Sequence, residues 1–185
     1  MGDDRVTAPL VHARNDAGSS DSGWTLNFPH LWPDFADLLE CFMAERVDFL
    51  LVGAFALAAN GVVRATTDMD VWVRPNTENA KRTLAALARF GAPIEQHGVT
   101  AADFDHPDSV YQIGLPPMRI DVLTSIDGVN FEEAWQNRVV IEIGGLRLFT
   151  LSLGMFIQNK RAAGRPRDLQ DLAMLRAAGV DVSEG

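Results

Sequence analysis

Two aspartates separated by a single residue are the positions best suited to chemistry in this sequence. Asp68 and Asp70 begin the run 68–73, whose β-branched and aromatic residues predict a strand. Because side chains two apart in a strand project from the same face, the two carboxylates should lie side by side. Such neighbours repel each other unless a cation or a proton lies between them. A hard divalent cation, which binds one or two carboxylates together with substrate phosphates, is the simplest explanation.

The segment before this pair predicts a strand, a tight turn and a helix. Residues 49–52 form a short apolar run that is typical of a buried strand. Gly53 interrupts the run and begins an alanine-rich segment that ends at Asn60-Gly61, a helix stop signal. At a turn formed by Gly53 and Ala54, backbone N–H groups and the helix N-terminus could meet a phosphate. A plain strand-to-helix turn packed on the core is an equally good interpretation.

The order of these motifs resembles the nucleotidyltransferase fold over residues 47–175. The similarity is to small bacterial proteins of the minimal and AbiEii-like toxin branches. In those families a Gly-Gly or Gly-Ser turn follows the first strand, an Asp-x-Asp pair occupies the next, and a third acidic residue lies on a later strand. Ala54 departs from this pattern, because it lacks both a hydroxyl and the backbone freedom of glycine. The resemblance is carried by Gly53-Ala54-Phe55-Ala56-Leu57, Gly61, Arg64, Thr66 and Asp68-Met69-Asp70.

The resemblance implies a metal-dependent reaction and a third carboxylate. Asp121, within the strand-like run 119–123, would lie beside Asp68 and Asp70 on a neighbouring strand. The three would bind Mg²⁺ (or Mn²⁺), and a nucleoside monophosphate would pass from an NTP such as ATP to a hydroxyl activated by Asp121. Two such ions would stabilise both the attacking and the leaving oxygens. The alternative is three solvated aspartates that prevent edge strands from pairing.

Two residues close to the aspartate pair are candidate ligand contacts. Arg64 could touch a phosphate or hold a carboxylate in place, and Thr67 could orient a bound ligand. A surface arginine on a loop, with no part in binding, is the alternative for Arg64.

A second set of candidates lies in the C-terminal run 159–172. It contains a lysine followed by Arg-x-Arg-Asp-x-x-Asp-Leu, which resembles a helical motif of the AbiEii-like branch. That resemblance implies that Lys160 contacts nucleotide phosphates and that Asp168 and Asp171 support the active-site face. The two aspartates are three residues apart and therefore share one side of a helix. For Arg165 and Asp171, surface pairing is an equally good interpretation.

Composition restricts the class of protein. The chain has 185 residues, 47% of them hydrophobic, which is typical of a globular domain. Its single cysteine, Cys41, excludes an internal disulfide, and no hydrophobic leader or membrane-length apolar run is present, so we expect a cytoplasmic protein. The net charge of −9 disfavours an extended nucleic-acid surface but not a nucleotide, whose phosphates need only a few local cations.

Strands interleaved with helices predict an α/β (α+β) protein with a mixed, twisted sheet of about five strands flanked by helices. We expect a flexible tail over 1–23, a nucleotidyltransferase-like core over 24–149 and a C-terminal helical segment over 150–185 packed on that core. Within that segment, Thr150 is predicted to open a helix that runs to Ala163.

Two classes of function are compatible with these observations. The first is a Mg²⁺-dependent nucleotidyltransferase, with an NTP as substrate and a small molecule, a protein or an RNA as acceptor. It could be the toxin of a toxin–antitoxin pair, and the acidic charge favours the first two acceptors. The second is a non-catalytic nucleotide-binding or regulatory partner protein that retains the fold, for instance one half of a toxin–antitoxin pair with an antitoxin-like protein as its partner. Neither the acceptor nor the choice of NTP can be inferred from the sequence.

Overall fold

The computed structural model describes residues 24–25, 32–115 and 118–183, and a seven-stranded mixed sheet forms the centre of this part of the chain. The strands are β1 (Trp24–Thr25), β2 (Phe49–Leu51), β3 (Asp68–Val73), β4 (Val110–Leu115), β5 (Met118–Leu123), β6 (Val139–Ile143) and β7 (Leu146–Thr150). The helices are α1 (Pro33–Ala44), α2 (Gly53–Ala59), α3 (Thr77–Phe90), α4 (Phe131–Gln136), α5 (Leu153–Ala163) and α6 (Pro166–Ala177), with a single 3₁₀ turn at Ala101–Phe104.

The strand order is β1-β6-β7-β2-β3-β5-β4. Strand β3 lies antiparallel to β2 and parallel to β5, while β4 pairs antiparallel with β5 at one edge. The predicted α/β fold with a mixed sheet and flanking helices is therefore confirmed. The sheet has more strands than the five or so expected, partly because β1 contains only two residues, too few to show an alternating pattern.

Helices cover both faces of the sheet, and the two faces form separate apolar cores. Alternate residues of β2 and β3 belong to opposite cores, as the two-residue period of a strand requires. Phe49, Leu51, Met69, Val71 and Val73 pack against α1 and α3. Leu50 and Trp72 pack on the other face with Phe156, Ile157, Leu172 and Leu175 of α5 and α6. The C-terminal helices are thus part of the second core.

Local capping signals place most helix boundaries where the sequence predicts them. The Asn76 side chain accepts a hydrogen bond from the N–H of Asn79 at the start of α3, and Gly91 ends that helix in the left-handed conformation. The expected helix start at Thr150 is wrong. Thr150 ends β7, and its hydroxyl donates to the buried Leu51 carbonyl at 2.7 Å, so α5 begins three residues later.

Two further expectations concern the N-terminal tail and membrane-spanning helices. The predicted tail over residues 1–23 lies outside the described residues. Among the helices of the described ranges, none is long and apolar enough to cross a bilayer.

Candidate functional site

Strand register brings the acidic residues of β3 and β5 together on one face of the sheet. Because β3, β5 and β4 are neighbours, residues at matched positions form rows across the three strands. The central row joins Asp70 of β3 to Asp121 of β5 and Gln112 of β4. The row before it joins Asp68, Arg119 and Gly114, and the row after it joins Trp72, Leu123 and Val110. Polar side chains therefore occupy two successive rows near the sheet edge.

A cavity of about 720 Å³ lies over these rows. It is bounded by the turn after β2, by β3, β5 and β4, by the loop after β5, and by α5 and the start of α6. The predicted site residues that line it are Gly53, Arg64, Asp68, Asp70, Asp121, Lys160, Arg165 and Asp168. Residues from segments more than 100 positions apart are thereby brought to one cavity.

Besides Asp171, which is fully buried, two of the predicted site residues do not line the cavity. Ala54 is buried beneath the turn, with 5% of its surface exposed. Thr67 is exposed away from the cavity, and Thr66 lines it instead. The difference follows from the strand period, because Thr66 is two residues before Asp68 and projects to the same side. The Thr66 hydroxyl donates to the Asp68 carbonyl at 2.9 Å.

The turn after β2 is held directly against Asp70. The Val52 N–H donates to the Asp70 carbonyl at 3.0 Å, and Gly53 has a φ of +60°. A Cβ placed on Gly53 would lie 2.1 Å from Oδ2 of Asp70, far inside van der Waals contact. The close approach of this carboxylate, as well as the backbone conformation, therefore requires glycine at position 53.

Burial and mutual repulsion shape the electrostatics of the central row. Burial raises the pKa of the Asp70 carboxyl, and the nearby charges of Asp121 and Asp68 raise it further against the opposing charge of Lys160. Burial also raises the pKa of Asp121, although the charge and hydrogen bond of Arg119 partly offset it. Two carboxylates with raised pKa values in one cavity favour an added cation or proton.

The carboxylate oxygens of the cavity fit a divalent cation whose remaining ligands come from another molecule. Carboxylate oxygens are the ligands that Mg²⁺ prefers, and one or two of them suffice when phosphates supply the rest. Oδ1 of Asp121 is buried and has no hydrogen-bond partner among the described residues. Within residues 32–115 and 118–183, no three His, Cys, Asp or Glu side chains are already arranged as a metal-ion cluster.

We expect Asp70→Asn to raise the melting temperature at pH 7 in the presence of a chelator. A carboxyl whose pKa is raised by folding stabilises the protein below its unfolded pKa, about 3.9, and this contribution is lost as the pH rises through the folded pKa. The neutral amide avoids that loss, so its advantage should disappear below about pH 3.9. Thermal unfolding from pH 3 to 8 measures the effect. Asp37→Asn, which removes an exposed carboxylate of α1 outside the cavity, is the control, and equal melting temperatures for Asp70→Asn and wild type at pH 7 would contradict the expectation.

Lys160 lies at the centre of a buried ionic network beside the cavity. Its ammonium is 2.7 Å from Oδ1 of Asp168 and 3.3 Å from Oδ2 of Asp171. Lys160 is 7% exposed, Asp168 5% and Asp171 0%, so this charge cluster is almost removed from water. Burial alone would raise the pKa of Asp168, but the hydrogen bond and charge of Lys160, together with Arg165, lower it.

Arginines extend this network to other segments. Nε of Arg64 is 2.8 Å from Oδ1 of Asp171, which ties the loop before β3 to α6. Arg165 contacts Asp168 through Nε at 3.0 Å and Asp127 through a terminal nitrogen at 2.9 Å. The network therefore joins α5, α6 and two loops that border the cavity.

Sequence reasoning missed several cavity residues, and three of them have polar side chains close to the aspartates of β3 and β5. Arg119 lies 3.0 Å from Oδ2 of Asp121 and 3.9 Å from Oδ2 of Asp68. Arg167 reaches to 3.9 Å from the same Asp68 oxygen, and Gln112 pairs across the strands with Asp121. Of these three, only Arg119 could have been identified from the sequence. It lies two residues before Asp121 in a predicted strand, so the two side chains must project from the same face.

One family model matches most of this chain. The family model described as "Nucleotidyltransferase of unknown function (DUF6036)" matches residues 35–179, a range that includes the cavity and the buried network. Among solved structures, a candidate nucleotidyltransferase from Thermotoga maritima is similar over 83% of this chain and 98% of its own, at 12% identity and a TM-score of 0.48. Among curated proteins, none shows significant similarity to this chain.

Proposed function

The chain belongs to the DUF6036 family of nucleotidyltransferases, and we propose that it transfers a nucleoside monophosphate from an NTP to a hydroxyl acceptor with the help of a divalent cation. One observation carries the proposal: Asp70 and Asp121 are paired across adjacent strands at the cavity, with Asp68 one row away and Gly53 against Asp70. A cavity lined by both carboxylates and arginines suits a metal-bound triphosphate.

The acidic residues would divide the work of metal binding and proton transfer. Asp68 and Asp70 would hold Mg²⁺ or Mn²⁺, as nucleotidyltransferases generally use divalent metals with an NTP. The bound ion would neutralise charge that develops on the phosphates during transfer. Asp121, with its raised pKa, is suited to accept a proton from the acceptor hydroxyl.

The transfer itself is an in-line displacement at the α-phosphorus. The acceptor oxygen forms a bond to that phosphorus while the bond to the bridging oxygen breaks. Pyrophosphate leaves with the electron pair, and the hydroxyl proton passes to Asp121. Positioning and electrostatic stabilisation supply most of the catalysis in phosphoryl-transfer reactions, and Arg165 and Arg167, which are 68% and 56% exposed, are available to contact the phosphates.

The phosphate contact predicted for Lys160 needs a refinement. Its ammonium lines the cavity but already pairs with two buried aspartates, so little positive charge is left for a ligand. We propose that Lys160 acts mainly by holding α5 and α6 together beneath the triphosphate. Arg167, which is 56% exposed and lies 3.9 Å from Asp68, then supplies most of the free positive charge.

For the acceptor, only the chemical class is proposed. The cavity is also bordered by three apolar side chains, Val110, Leu123 and Ile126, with Val110 57% exposed. Such an apolar surface suits the nonpolar part of a nucleoside or of a small acceptor. The acidic charge favours a small molecule or a protein side chain over RNA. Membership of the AbiEii-like branch and a role as a toxin with an antitoxin-like partner are proposed on the motif resemblance alone.

A calorimetric titration tests the proposed site without knowledge of the acceptor. We expect Mg²⁺–ATP or Mg²⁺–CTP to bind wild type and Asp37→Asn equally, and Asp70→Asn at least about tenfold more weakly, since a lost charged contact costs about 1.5–3 kcal/mol. Wild type that binds neither nucleotide would contradict the proposal and favour a regulatory partner protein without nucleotide binding. Unchanged binding by Asp70→Asn would remove this carboxylate from the metal site.

A further inference from the structure

Arg119 occupies a position that a metal-binding cavity would be expected to leave open. Its terminal nitrogen Nη2 lies 3.0 Å from Oδ2 of Asp121 and 3.9 Å from Oδ2 of Asp68. The guanidinium therefore bridges Asp68, which the proposed function assigns to the cation, and Asp121, which it assigns to proton transfer. The side chain of Asp121 is 9% exposed and that of Arg119 is 36% exposed, so the carboxylate of this ion pair is shielded from solvent.

The same guanidinium has unused hydrogen-bonding capacity. Its Nε is buried and meets no acceptor among the described residues. Its neighbour on β4 is Gly114, which carries no side chain that could hold or block it from that direction. A guanidinium offers five donors in a planar fork, which suits the bidentate recognition of phosphate.

We propose that Arg119 is the resident cation of the acidic cavity, which excludes a free divalent ion and admits the ion only together with a triphosphate. This inference rests on the proposed function, because it concerns how the same site is loaded. A divalent ion that enters alone must either displace the guanidinium from Asp121 or lie next to a like charge. A triphosphate removes this penalty, since its oxygens give the guanidinium new partners as the ion takes the carboxylates.

Opposite changes in two affinities distinguish this role from simple structural support. In Arg119→Met, the affinity for Mn²⁺ alone should rise about tenfold, because a competing charge is removed. The affinity for Mg²⁺–tripolyphosphate should fall about tenfold, because charge-assisted hydrogen bonds to phosphate are lost. Arg119→Lys keeps the charge and should continue to exclude free Mn²⁺. Isothermal titration calorimetry of both ligands measures both changes without any need for turnover.

Arg74→Met is the matched control for loss of a paired arginine. Arg74 contacts Asp48 at 2.8 Å and Glu132 at 3.0 Å and does not line the cavity, so neither affinity should change. If Arg119→Met binds Mn²⁺ as wild type does, the inference fails, and the proposed function stands so long as wild type binds Mg²⁺–tripolyphosphate. Loss of both affinities in Arg119→Met would make the residue a mere support of the carboxylates. If wild type binds neither ligand, the inference and the proposed function fail together.

Discussion

Lys160→Met is expected to lower the free energy of unfolding by about 3–5 kcal/mol, the usual cost of removing one partner from a buried ion pair. The substitution keeps the apolar length of the side chain but leaves Asp168 and Asp171 without their shared cation. Asp171 is fully buried, and Arg64 would remain as its ion-pair partner through Oδ1 only. The uncompensated carboxylate charge, and not a packing defect, is therefore the source of the loss.

Urea denaturation at pH 7 measures this cost, with Lys81→Met, an exposed lysine of α3, as the control expected to change stability by less than about 0.5 kcal/mol. Adding Asp168→Asn and Asp171→Asn to Lys160→Met should recover part of the loss, because the unpaired charges are then removed. A loss below about 1 kcal/mol, or no recovery in the triple variant, would show that the network does not depend on charge pairing.

The pH dependence of the same variant provides an independent check. Folding lowers the pKa of Asp168, so the pair stabilises wild type above the unfolded pKa, about 3.9, and this contribution is lost as the pH falls through the folded pKa. Lys160→Met has no such contribution to lose. The stability difference between the two proteins should therefore shrink on acidification, and a constant difference between pH 7 and pH 2.5 would contradict this account.

The sequence predicts the elements of this fold well because their signals are local. The strand Asp68–Val73 has the predicted boundaries, because its β-branched composition is a local signal. The helix Thr77–Phe90 is likewise delimited by local signals, an Asn cap and a terminal glycine. Thr150 was misassigned because its hydroxyl bonds to Leu51, 99 positions away, and no local pattern reports that contact.

The candidate site is less predictable, since it depends on contacts between distant segments. The Asp68 and Asp70 spacing is visible in one strand, but the bridge from Arg119 to Asp68 requires the register of β3 on β5. The contact of Arg64 with Asp171 spans 107 positions. The motif resemblance named Asp68, Asp70, Arg64 and Asp171 as candidates. Their ion-pair partners, which decide how much charge is free for a ligand, follow only from the folded structure.

Gly53→Ala is expected to lower the free energy of unfolding by about 2–5 kcal/mol, which combines two separate costs. A φ of +60° disfavours any residue with a Cβ by roughly 1–2 kcal/mol. The new Cβ would also lie 2.1 Å from Oδ2 of Asp70, and relieving such overpacking costs a further 1–3 kcal/mol or so. Because that oxygen belongs to a proposed metal ligand, the affinity for Mg²⁺–tripolyphosphate should fall as well.

Gly61→Ala separates the two costs, since Gly61 has a φ of +84° but no atom within 4 Å of the position that a Cβ would take. It should lose only the backbone term, roughly 1–2 kcal/mol, and keep its affinity for Mg²⁺–tripolyphosphate. In a double-mutant cycle, Asp70→Ala leaves its Cβ at 3.5 Å as the nearest atom of that residue, an ordinary contact. The cycle should therefore show a coupling free energy of about 1–3 kcal/mol between positions 53 and 70. Additive effects would mean that glycine is needed at position 53 only for its backbone conformation.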